Sequence, residues 1–228
     1  MNAARACVIV IVIALGASAC TAVEGSGTPG AAPLRVVDRE DGPLDALPEI
    51  RGLAVEGPFH VEATIADAVP TAVVEGDDNL LSRIEGQIDE HGYLTIRPRE
   101  AIFPTLPLVV RIEARALEFV TAREEGSSAR VSGIVADRFG LSASVGADVT
   151  ADGTCATLTL VASGDAHADA SALTCTDASI DAQGSARVEA RVTGTLSVTA
   201  SGESAVVVSG EPNRVDRSLS DRATLELE

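Results

Sequence analysis

The sequence predicts an all-β protein whose second half coils as stacked short parallel strands, with rungs of 18–20 residues. Three observations carry this. Apolar residues alternate with polar ones from Gly52 onward, prolines punctuate the runs, and the stretch from about residue 123 to 208 repeats itself. Alternation with period two is the mark of a half-buried strand. Prolines at 70, 98, 104 and 107 exclude long helices, because each removes a donor and clashes with the preceding turn.

The elements can be justified in chain order. Residues 1–19 read as an export signal: Arg5 precedes an uncharged apolar run from Ala6 to Ala19. As a helix this run spans about 21 Å, short of the ~30 Å hydrocarbon core, which suits a cleaved signal better than a resident membrane helix. The run ends "ASAC", which resembles a bacterial lipobox with Cys20 as the first mature residue and the site of lipidation. Ala17 departs from the Leu commoner in such signals. Ordinary secretory cleavage near Ala19 is the second reading. A diacylglyceryl group on Cys20 would supply two acyl chains, enough for stable anchoring. Residues 20–45 mix Gly, Pro, Ser, Thr and charge without periodicity and read as a lipidated flexible tether. The folded domain is expected over 46–228.

In that domain "FHVEATI" alternates through Phe59, Val61, Ala63 and Ile65, and "YLTI" and "PLVVRIEA" continue the pattern. The closest approach to a helical stripe, "NLLSRIEGQI", is interrupted by Gly86. The later repeats align on Ser127, Val145, Gly164, Gly184 and Gly202, at spacings of 18, 19, 20 and 18. Two residues on stand Ala129, Ala147, Ala166, Ala186 and Ser204, and four on stand Val131, Val149, Ala168, Val188 and Val206. In this alignment the first copy departs, with Arg123 and Glu125 in apolar slots, as an end repeat can. Such a unit is too short for a helix pair and suits stacked strands ~4.8 Å apart. Small inward slots imply a narrow interior. The open ends of the stack need covering; the early strands and the final "RATLELE" are the candidates.

Cys155 and Cys175 each stand nine residues before a repeat glycine, so they share a slot in consecutive rungs. Equivalent Cα atoms in neighbouring rungs lie within disulfide range, and export permits oxidation. The expectation is a Cys155–Cys175 disulfide; two free, buried thiols are the alternative.

The segment Val74–Ile96 resembles the head GIN domain family, also described as an autotransporter adhesin domain. The resemblance rests on the turn Gly76, Asp77, Asn79, Leu80 and Leu81, followed by Gly92, Leu94 and Ile96. "GPFHVEATI" resembles the family's opening strand, and Ser209–Pro212 also fits; about residues 50 to 215 are covered. The resemblance implies a right-handed parallel β-helix-like solenoid carried behind an export or lipoprotein signal. It makes Gly76, Asp77 and Asn79 a fold-marking turn rather than a calcium loop. Asp and Asn favour turns by bonding their own backbone, and the alternating ligands of an EF-hand loop are absent.

Signals of chemistry are sparse. His60, His91 and His167 lie far apart without zinc spacing. No nucleophile elbow or phosphate loop is present. No metal or other cofactor is expected, and no catalytic residue is assigned. A lyase-like cluster could draw on Asp165, Asp169, Asp177, Asp181 and Arg187, but solvated turns explain them more simply. Five aromatic rings in all supply sugar platforms poorly. A net charge of −17, with every basic residue an arginine, argues against nucleic acid. The expectation is a non-enzymatic cell-envelope lipoprotein, exported and facing away from the cytoplasm, held to the membrane through Cys20. It would serve an adhesion-like or scaffolding role toward an envelope protein or glycan. The alternatives are a carbohydrate-active β-helix enzyme and an envelope ligand-sensing module. Acids and an arginine converging on one face would favour the enzyme, and dispersed charges the binder.

Overall fold

A computed structural model describes residues 49–228 and the two-residue strand β1 (Leu34–Arg35). The signal segment, Cys20 and the rest of the tether lie outside the described residues. The described chain forms one large sheet wound into a β-solenoid of about five turns. Its only helix among the described residues is a single turn, α1 (Asp78–Leu81).

From β8 (Phe119–Arg123) onward the coil winds regularly. β9 (Ser128–Ser144), β10 (Asp148–Gly164) and β11 (His167–Gly184) each run a whole turn and pair in parallel along their length. Each bends where the in–out alternation fails. In β10 the breaks fall at Asp152–Gly153 and at Ala156–Thr157. A turn therefore has two longer faces and one short one. Beyond β11 the first long face continues as β12 (Arg187–Val192), β14 (Ala205–Ser209) and β16 (Thr224–Leu227). The second continues as β13 (Thr195–Ala200) and β15 (Arg214–Leu219).

The early strands do not stack in chain order. β2 (Gly52–Glu56) lies between β6 (Tyr93–Pro98) and β8, and β3 (Phe59–Ile65) lies between β7 (Leu108–Ala114) and β9. From β2 the chain thus starts within the stack, builds outward to one end, and crosses back over the β2–β3 rung. Glu118 anchors that crossing: its N–H donates to the Arg51 carbonyl and its carbonyl accepts from Gly140. The end so built is closed by antiparallel pairing. β4 (Thr71–Glu75) pairs with β7, β5 (Ile84–Ile88) pairs with β6, and β1 adds to β4. Antiparallel strands can close an end because a short turn suffices to reverse the chain. The early strands therefore cover an end as expected, whereas "RATLELE" does not. It extends the stack in parallel as β16.

The hydrogen-bond register corrects one sequence alignment. Val149 pairs with Ala129, not with Val131, so the first copy is displaced by two residues. Its inward slots are then Val120, Ala122, Ser127 and Ala129, all buried. Arg123 and Glu125 face out, and the first rung is an ordinary one. The miss has a physical cause: this corner has four residues between Arg123 and Ser128 where the next has three between Ser144 and Asp148, and its left-handed positions are Glu124 (φ 85°) and Gly126 (φ 81°). Later corners use Val145 (φ 56°), Gly164, Gly184, Gly202 and Asp221. The tight corner holds an inward Ala two residues on. Where Ser127 or Ser204 replaces it, the buried hydroxyl donates to a corner carbonyl, that of Glu124 or Ser201.

The interior is graded in size. Beside the corner runs a ladder of Ala122, Ala143, Ala162, Ala182 and Ala200, and two residues further from it run Val120, Leu141, Leu160, Ile180 and Val198. In the last rung these ladders end in Leu219 and Arg217, both exposed. An inward-slot charge on a terminal strand discourages edge-to-edge association. On the short face Cys155 and Cys175 are directly paired, with Cα atoms 4.6 Å apart, and form a disulfide.

Two stability predictions follow. The disulfide closes a sequence separation of 20 residues, for which chain entropy implies about 3 kcal/mol. Denaturant curves with and without reductant should differ by that amount; superimposable curves would contradict the staple. At the corners, Val145 is β-branched, 64% exposed and left-handed, a conformation that costs roughly 1–3 kcal/mol. Val145→Gly should stabilise by about 1 kcal/mol after the entropy cost of glycine. Gly184→Ala should destabilise by at least about that much, since its Cβ would lie 3.0 Å from the Gly164 carbonyl oxygen at φ +76°.

Candidate functional site

Asp77, singled out as a fold marker, is fully buried beside α1. Its carboxylate does not bond its own turn, which corrects the expected Asx role. Oδ2 accepts the N–H groups of Thr105 (2.6 Å) and Leu106 (3.3 Å), nearly thirty residues away, while Oδ1 has no hydrogen-bond partner. The turn's own bonds are main-chain: Leu80 and Leu81 donate to the Asp77 carbonyl. The residue thus clamps the long loop before β7 onto the closed end. Gly76 sits against Leu108, where a side chain would collide. Among the described residues, no group of three or more His, Cys, Asp or Glu side chains is placed to hold a metal ion.

The five residues considered for lyase chemistry are scattered. Asp165 lies at a corner, Asp169 and Arg187 on the first long face, and Asp177 and Asp181 on the second. Asp177 and Asp181 stand four residues apart on one strand, about 13 Å, too far to act as a pair. Several already have local partners. Asp177 accepts the Thr195 N–H at 2.7 Å, Asp169 accepts from the N–H and hydroxyl of Ser171, and Asp181 accepts from Gln183. His60 Nδ1 lies 2.7 Å from Ser128 Oγ. The next acid in that column, Asp148, lies 3.6 Å from His167 instead. Serine, histidine and acid therefore do not line up as a nucleophilic relay.

The two long faces differ sharply in how many charged side chains they carry. On the first, one central column runs Val109, His60, Ser128, Asp148, His167, Arg187, Ala205, Thr224. Its neighbour runs Arg111, Glu62, Arg130, Thr150, Asp169, Glu189, Val207, Glu226. Half of these sixteen positions are charged and two more are histidine. Arg111 bridges Glu62 and Glu75, and the hydrogen bond it donates to Glu75 raises its pKa further above the ordinary arginine value. On the second face, one column runs Tyr93, Gly52, Phe119, Gly140, Thr159, Ser179, Ser197, Asp216. The next runs Thr95, Ala54, Thr121, Ser142, Val161, Asp181, Thr199, Ser218. Only Asp181 and Asp216 are charged here, and eight of the sixteen are Ser or Thr.

At the closed end of this second face the chain gathers aromatic rings. Tyr93 and Phe119 meet edge to face with centroids 4.8 Å apart, and His91 stacks on Tyr93 at 5.8 Å. Both neighbours of Phe119 in its column are glycines. A Cβ on Gly52 would lie 2.4 Å from the Phe119 ring, and one on Gly140 would lie 3.0 Å from its Cβ. The glycines leave the room in which the ring lies along the sheet. Asp89 holds the preceding turn, accepting the N–H groups of His91 and Tyr93, and the bond from Tyr93 lowers its pKa from the ordinary 3.8. Two of the five rings thus share an outer column, which a count of rings does not reveal. The signal was present in parity: Tyr93 and Phe119 each sit one residue before an inward Leu94 or Val120.

A family model described as "Putative auto-transporter adhesin, head GIN domain" matches residues 50–212. Among solved structures, a "putative adhesin" from Bacteroides fragilis is similar at TM-score 0.66 and 14% identity, covering 80% of this chain and 94% of that one. Another "putative adhesin", from Parabacteroides merdae, is similar at TM-score 0.51 and 13% identity, covering 89% and 98%. At these identities the likeness is one of fold. A search of curated proteins finds no match.

The Asp77 clamp yields a test. Asp77→Ala removes the acceptor of two part-buried hydrogen bonds, from the Thr105 and Leu106 N–H groups, and should cost about 1–3 kcal/mol, with earlier proteolysis in the 99–107 loop. Unchanged melting and unchanged cleavage of that loop would show that the clamp is dispensable.

Proposed function

The chain belongs to the head GIN family, and from that premise we propose that it is a non-enzymatic binding protein of the bacterial cell envelope, acting in an adhesion-like or scaffolding role. The observation that carries this reading is the pair of long outer faces. Parallel ladders hold side chains in straight columns ~4.8 Å apart, a repeated display suited to multipoint contact. The adhesin description of the family and of structurally similar proteins supports a place at the cell surface or in the envelope. Lipidation at Cys20 would tether it there, and the tether would give the solenoid reach. The scatter of Asp165, Asp169, Asp177, Asp181 and Arg187 over two faces and a corner favours binding over lyase chemistry.

The test is capture from the host's own envelope fractions by the mature chain, with bound protein and glycan identified by mass spectrometry. A saturable partner is expected. Recovery of shortened, unsaturated glycan products would replace this reading with an enzymatic one, and no saturable capture would remove it. Mass measurement of the mature N-terminus should show a diacylglyceryl adduct on Cys20; a free thiol there would remove the anchor.

A further inference from the structure

We infer that the second long face is a docking track for an extended, uncharged glycan strand, a proposal that rests on the binding role above and names its ligand class.

The first reason is charge. The chain carries −17 overall, yet the two central columns of this face hold only two charged side chains, against eight on the first face. The net acidity disfavours acidic polymers; a neutral polymer laid on this face would strip water from few charged groups, whereas on the first face it would have to desolvate many. The second reason is the kind of polar group. Hydroxyls both donate and accept, which matches the mixed donors and acceptors of sugar hydroxyls. Thr159, Ser179 and Ser197 stand in one straight outward column, and all three are exposed. Short hydroxyl side chains also lose little rotamer freedom on contact, unlike the long charged chains of the other face.

The third reason is the aromatic group that heads the same column. Of the chain's five aromatic side chains three are outside the core: Phe103 is exposed in the loop before β7, and Tyr93 and Phe119 lie half-buried on the outside of the coil in line with those hydroxyls. Partly exposed rings offer an apolar surface with a polar rim, the combination that binding sites use against the CH faces of ligands. The space for them comes from Gly52 and Gly140, and Asp89 holds the turn that places Tyr93. Rings at the closed end and hydroxyls along the column define a linear track parallel to the solenoid axis. The rung spacing of ~4.8 Å is close to the sugar-to-sugar repeat of an extended β-1,4-linked chain, so successive sugars can meet successive rungs.

The probes are the hexamers of β-1,4-linked glucose and of β-1,4-linked N-acetylglucosamine, titrated into the mature chain by calorimetry and by NMR shift mapping. Dextran serves as a neutral polymer of different shape. Expected is saturable binding of at least one hexamer, weakened by roughly tenfold or more in the double variant Ser179→Arg, Ser197→Arg. These positions are exposed, so the variant should keep the melting temperature of the parent. Phe119→Leu, which keeps apolar bulk over Gly52, should weaken binding in the same direction. Glu189→Gln on the first face should not. Hexamer binding that the arginine pair leaves unchanged would overturn the assignment to this face. Absence of hexamer binding, alongside saturable capture of an envelope protein, would overturn the glycan while leaving the binding role intact. Absence of both would overturn the two together.

Discussion

Every feature of this molecule depends on the main-chain ladder between successive rungs. Parallel strands one rung apart must keep register, because a slip by one residue would exchange the inward and outward sets. Once register holds, each side chain has a fixed column, and each column has one chemistry. The alanine ladder beside the corner, the branched aliphatic ladder two residues away and the hydroxyl ladder outside are consequences of that one constraint. The disulfide obeys it too, since Cys155 and Cys175 can meet only because they are direct partners.

Register has to survive the corners, and this explains the residues found there. Turning between the two long faces takes a left-handed backbone, which glycine adopts without strain. Five of the six corners contain such a glycine (Gly126, Gly146, Gly164, Gly184 and Gly202), and Glu124, Val145 and Asp221 take the same conformation at a cost. Tight corners in turn leave little depth inside, so the adjoining slot takes alanine or a serine that bonds the corner itself. The scarcity of large aromatic side chains in the core follows from a thin interior. Only Phe59 and Phe139 are buried, and neither lies in the alanine ladder.

A stack with such uniform rungs must solve its ends differently from its middle. The closed end reverses strand direction through β4 and β5, and Asp77 pins the loop that crosses it. The far end carries Arg217 in an inward slot and leaves β15 and β16 exposed. Between the ends, the outer faces are free of packing duty. They have diverged in chemistry: one is laced with ion pairs such as Arg111–Glu62, and the other has few charged side chains and is rich in hydroxyls. Exposed ion pairs add little to stability, so folding does not require this division.

How much could be read in advance follows from the range of each signal. Period two, the repeat length and the nine-residue offset of both cysteines from a glycine are local or regular. From them the sequence alone determined an all-β solenoid, its rung length and its disulfide. Gly76 and Asp77 were legible as fold markers, but the acceptor role of Asp77 toward Thr105 and Leu106 was not, because those groups are distant in sequence. The first rung was misaligned because its corner is one residue longer than the next, so an alignment by spacing slips there. Only the tertiary structure decided that β2 and β3 lie inside the stack, that "RATLELE" extends it, and that Tyr93 and Phe119 share an outer column with Gly52 between them. The physical reason is that strand order is set by which backbone edges pair across long separations, and edge pairing leaves no pattern in the residues beside it.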